Sequence, residues 1–146
     1  MDIISRINLH LQPASITDSY LIKYIGKPFS LNDIYVSGNQ KGAFWKRKNI
    51  KDKYSAIFRD LMEESEYLVP FNKFMLCIFY NSRHDVDNIV GMGKVFADTL
   101  RSDPKKGIVG YVPNDNKKHY RLLTVVVDDS LELNEFDFMI IDITNG

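Results

Sequence analysis

Phe74-Met75-Leu76-Cys77-Ile78-Phe79-Tyr80 is apolar on both faces of an extended chain: Phe74, Leu76, Ile78 and Tyr80 alternate with Met75, Cys77 and Phe79. A strand with no polar side must be shielded on both, so the apolar stretch from Phe71 to Tyr80 predicts the middle of a covered sheet. Downstream, Ile89, Met92, Phe96 and Leu100 are spaced for one face of a helix, despite Gly91 and Gly93, which cost ~1 kcal/mol each relative to alanine. Upstream, Tyr54, Ile57, Phe58, Leu61 and Met62 fall at i, i+3, i+4, i+7 and i+8, which predicts an amphipathic helix over 50–67 ended by Pro70. Ser19 to Ile25 reads as a short strand closed by Gly26 and Pro28. Two further strands, Tyr120 to Val127 and Phe136 to Ile143, are joined by a connection short enough for an antiparallel hairpin. The order strand, helix, strand, helix, strand, strand predicts an α/β domain of α+β type, a single mixed sheet with helices packed on it. That domain is placed at 19–146; residues 1–18, broken by Pro13, form an N-terminal arm of unknown role.

A chain of 146 residues, 45% hydrophobic and 12% aromatic, has enough apolar material for one buried core. No stretch approaches the roughly 18 apolar residues of a membrane span, and Asp2, Arg6 and Asn8 interrupt the place of a signal peptide. A cytoplasmic protein without a membrane partner is therefore expected. Cys77 is the single cysteine, which excludes an intrachain disulfide and a cysteine-rich zinc site.

The formal net charge is zero, but its distribution is uneven. Lys41, Lys46, Arg47, Lys48, Lys51, Lys53 and Arg59 face a lone acid, Asp52, whereas after Arg121 only acids follow. A molecule with one basic and one acidic side attracts phosphate locally while its overall field stays weak. Lysines at a helix N-terminus oppose the helix dipole at ~0.3–1 kcal/mol each, so another factor favours them, and a phosphate backbone is one candidate. Trp45 either stacks on a base or packs at the start of the helix.

Between the central strand and the second helix lies Arg83-His84-Asp85-Val86-Asp87-Asn88. Two carboxylates two residues apart can aim at one place, which suits a hard divalent cation. The structural alternative is that Asp87 caps the helix and Asp85 forms a turn. Asp87, Gly91, Lys94 and Asp98 follow at i, i+4, i+7 and i+11 along the opposite face of that helix, and Asp115 adds a third acid after a loop. Magnesium held by a few carboxylates keeps positions open for water and phosphate, and phosphodiester hydrolysis uses that arrangement. A lysine within reach adds positive charge to the same transition state. His84 is either a proton carrier or a loop histidine.

Asp85-Val86-Asp87-Asn88-Ile89 with Lys94 and Asp98-Thr99-Leu100 resembles the acidic motif of the RusA family of Holliday junction resolvases, phage and bacterial endonucleases that cut four-way DNA junctions. Pro28, Ser30, Asn32 and Tyr35 resemble the family's Pro-Ser-x-Asn-x-x-aromatic segment, and Asp115 the acid before its next strand. These matches keep the family's order over roughly residues 20 to 143. The resemblance implies a RusA-like fold and a homodimer that binds branched DNA and nicks symmetric strands in recombination and repair. It implies Asp85, Asp87 and Asp115 as ligands of magnesium, or of manganese in its place, with Lys94 completing the catalytic set. Gly91 stands where the family's lysine usually lies, and Asp115 is flanked by asparagines, so Asp98 and Asp103 are alternative third ligands. Asn32, Lys46, Arg47, Lys48, Lys51, Lys117 and Lys118 are expected against DNA. A protein that keeps the fold and binds branched DNA without cutting it is the competing expectation.

Overall fold

The computed structural model describes residues 19–29, 43–64, 71–101, 105 and 112–143. Four strands, β1 (Ser19–Ile25), β2 (Phe74–Asn81), β3 (Tyr120–Val127) and β4 (Glu135–Asp142), form one sheet in the order β1-β4-β2-β3. Two helices, α1 (Ala43–Glu63) and α2 (Val86–Leu100), pack on it and on each other. β2 runs parallel to β3 and antiparallel to β4, so the sheet is mixed, as expected for the α+β class. The segments 1–18, 30–42 and 65–70 lie outside the described residues.

Alternation in the strands decides which side is covered. Ile22, Phe138, Ile78 and Val125 form one row across the register; Tyr24, Phe136 and Tyr80 form the next. All but Val125, which is half-buried against it, belong to the core under the helices, joined by Phe58 of α1 and by Ile89, Met92, Phe96 and Leu100 of α2. Phe138 is the hub: its ring stacks on Phe96 at 4.2 Å and meets Phe58 edge-on at 5.3 Å. Gly93 allows this close approach, because a Cβ there would sit 3.1 Å from Ile78 Cδ1. Tyr24 and Tyr54 both donate hydrogen bonds to the Lys27 carbonyl, which ties the turn after β1 to α1. On the other face of the sheet, Lys23 pairs with Glu135 and with Asp137, the latter at 2.9 Å.

Three expectations are corrected. β3 and β4 do not form a hairpin; β4 crosses beyond β2 and enters between β1 and β2. The short link turns the chain, with Asn134 at φ 64°, but its length alone never fixed the partner. α1 begins at Ala43, so Lys46, Arg47, Lys48 and Lys51 lie within its first three turns. α2 begins at Val86, which makes Asp85 the N-cap residue and puts Asp87 in the first turn. No helix among the described residues is long and apolar enough to cross a membrane.

Candidate metal and phosphate site on helix α2

Asp85 and Asp87 sit where β2 delivers the chain to α2. Asp85 makes no side-chain capping bond, although its carbonyl accepts the amides of Asn88 and Ile89 at 3.0 and 3.3 Å. Both carboxylates are exposed. Their charges add to burial in raising the Tyr80 hydroxyl pKa, and that hydroxyl donates to the His84 carbonyl at 2.9 Å. His84 is half-buried in this turn, its amide bound to Ser82 Oγ.

The other acids lie at the far end of α2. Eleven residues separate Asp87 from Asp98, which is ~16 Å along a helix axis. After α2 the chain comes back at Val112, fully buried, whose amide bonds to the Leu100 carbonyl and which bridges to Arg101. Because β3 is parallel to β2, it starts at the end of the sheet opposite to the one where β2 finishes. Asp115 therefore approaches the C-terminal half of α2. Its carboxyl hydrogen-bonds to that of Asp98.

Asp98, Asp115 and Lys94 line one hollow of about 260 Å³, with Val90, Ala97, Tyr120 and Leu123 completing its wall. Burial, then the hydrogen bond to Asp115 and its charge, lift the Asp98 carboxyl to about 6, while Arg101 and Lys94 pull it down. The neighbouring Asp115 charge makes it harder for Asp98 to lose its proton, and a cation bound between the two would remove that opposition. Tyr120 also lines a second, more open hollow of about 420 Å³ with Lys117, Lys118 and Arg121. The turn that makes this junction is fixed by the amides of His119 and Tyr120 on the Asn116 carbonyl. Stacking of Tyr120 on Phe74 at 4.9 Å anchors it to the sheet. An acid pair thus lies beside a cationic surface with one tyrosine between them. No family model matches this chain, and none of the curated proteins searched does.

Of the residues named from sequence, Asp115 and Lys94 come together with Asp98, the alternative third acid. Asp85 and Asp87 do not join them within one chain, because the parallel crossover puts the two ends of α2 at opposite ends of the strands. Among the described residues, no three metal-ligating side chains share one place. Asn32 and Asp103 lie outside the described residues. Lys46 and Lys48 are exposed on α1, Lys48 pairing with Asp52 at 3.0 Å, while Arg47 and Lys51 are half-buried. Lys117 and Lys118 are exposed beside the acid pair. Sequence reasoning missed Arg121 and Arg101. Arg121 stands inside a strand-like apolar run where its placement beside Lys117 carries no local signal.

Proposed function

We propose that this protein is a magnesium-dependent endonuclease acting on branched DNA, of the kind that cuts four-way junctions, with its centre at Asp98, Asp115 and Lys94. The observation that carries the reading is the carboxylate pair in a hollow whose wall continues into the cationic surface of Lys117, Lys118 and Arg121. Phosphodiester hydrolysis needs both elements side by side: anionic ligands for a hard cation, and positive charge to seat the phosphates on either side of the cut bond.

Asp98 and Asp115 fit magnesium through the chemistry of their donors, since two neighbouring carboxylates oppose each other's ionisation and a cation between them relieves that. Bound there, the cation would neutralise charge on a phosphodiester and activate water for attack on phosphorus. Lys94 supplies a fixed positive charge at the same hollow, and Tyr120 excludes water from one wall. The resemblance of the acidic motif to the junction resolvases supplies the substrate class and the homodimer. Asp85 and Asp87 remain a separate acidic element at the other end of α2.

Asp115→Asn is the deciding variant, because Asp115 belongs both to the acid set implied by the resemblance and to the pair in the hollow. Cutting of a synthetic four-way junction with magnesium should fall by ~100-fold or more while junction binding persists. Undiminished cutting would defeat the proposal. Comparison of Asp98→Asn with Asp87→Asn then assigns the partner acid. A second reading, branched-DNA binding without cutting, is favoured by the separation of Asp85 and Asp87 from Asp115; it requires junction binding but no cutting by the parent at any magnesium concentration.

A further inference from the structure

β3 departs from strand alternation at one residue. Phe74 pairs with Tyr120 and Met75 with Leu122, so Arg121 has no counterpart on β2 and forms a bulge in the parallel pair. Burial follows the bulge: Tyr120, Leu123 and Val125 pack against the core, a step of three and then one of two. Had the period of two run on unbroken, Arg121 would share the row of Leu123 and Val125 on the helix side of the sheet, its charge pressed against apolar side chains. Instead Arg121 is exposed and lines the hollow of about 420 Å³ with Lys117 and Lys118. The turn that carries the two lysines is tied down. The Lys118 amide bonds to Asn116 Oδ1 at 3.1 Å, the His119 and Tyr120 amides bond to the Asn116 carbonyl, and His119 Nδ1 meets the Asn72 carbonyl at 2.6 Å. Among the described residues no acid lines this hollow, and none of its three cations is held in an ion pair. Three uncommitted cations on a bulge and a fixed turn make a seat for a phosphate, where the planar fork of arginine grips two oxygens at once and lysine offers a point charge. The acid pair lies across Tyr120, which lines both hollows.

We infer that Arg121, backed by Lys117 and Lys118, holds the DNA phosphate adjacent to the one at Asp98 and Asp115 and thereby sets which bond of the strand is cut. The inference rests on the proposed function and adds to it a positioning residue. A strand whose neighbouring phosphate is gripped by a fork enters the acid pair in one register, whereas a strand held only by diffuse attraction slides.

The experiment uses synthetic four-way junctions that carry a single methylphosphonate, an uncharged replacement for phosphate, at each position near the branch in turn. Binding is read by anisotropy without magnesium, and the cut bond is mapped with it. In the parent the neutral group should weaken binding about tenfold at one position of a strand. In Arg121→Gln that position should lose its effect, and the slope of log affinity against log salt should fall by about 1. Arg121→Lys should keep the slope yet cut at two or more neighbouring bonds where the parent cuts at one, because it retains the charge without the fork. Thermal melting checks that each variant is folded, and a purely structural role for Arg121 would leave the interference map unmoved. The same map in Arg121→Gln as in the parent, or an Arg121→Lys variant that cuts only the parent's bond, would overturn the inference. A parent that cuts no junction defeats the nuclease proposal instead, and the interference map then still decides whether Arg121 seats a phosphate.

Discussion

Asp98→Asn tests the electrostatics of the hollow without any substrate. The folded domain holds the Asp98 proton more tightly than the unfolded chain does, its carboxyl having risen from 3.8 to about 6. A raised carboxyl stabilises the fold while protonated, so its contribution is complete below about pH 4 and is lost as pH rises through about 6. Above that range the Asp98 and Asp115 charges oppose each other. Each tenfold change in proton affinity is ~1.36 kcal/mol, which sets a ceiling of ~3 kcal/mol. Asp98 is partly exposed, and screening brings the effect down to ~1–2 kcal/mol. Asparagine keeps the shape and a hydrogen bond to Asp115 but cannot ionise. For a domain of this size the variant should melt about 3 to 7 °C above the parent at about pH 7.5. Near pH 4.5 the gap should narrow to about a degree, because the parent is then largely protonated. Magnesium should raise the melting temperature of the parent at the higher pH and do so much less for the variant. A difference independent of pH, or a variant less stable than the parent at about pH 7.5, would refute the claim that the two carboxyl groups oppose each other.

Phe138→Ala removes the ring on which Phe58 and Phe96 converge and should cost ~3–5 kcal/mol in urea unfolding; a loss under ~1 kcal/mol would mean the two helices do not meet the sheet there. Reversing charge at Lys117 and Lys118 with glutamate should weaken junction binding and reduce the slope of log affinity against log salt by about 2, and an unchanged slope would take these lysines off the phosphate path.

The central strand and the buried face of α2 were legible because their signals are local. In Phe74–Tyr80 the even positions are all buried to 1% exposure or less, and Ile89, Met92, Phe96 and Leu100 are completely buried. The start of α1 was not legible: Ala43 to Asn49 carries no apolar period, and its cations argue against a helix beginning there. β4 pairs with β1 across more than a hundred residues, and the short link from β3 gives no hint of that partner. For the site, the facing of Lys94 and Asp98 followed from helix spacing alone. What sequence could not supply was the return of the chain at Val112 beside Leu100, which sends Asp115 to Asp98 instead of to Asp85.

Because β4 fills the gap between β1 and β2, neither of those strands gains its inner neighbour until residues 135–142 have been made. A ribosome-bound chain that has released everything up to β3 can pair β2 with β3 but leaves β1 waiting, an open edge able to join foreign strands. Completion of the sheet is therefore a late, long-range event, slow by the measure of loop closure, and any nonsense change before Glu135 yields a fragment prone to aggregate.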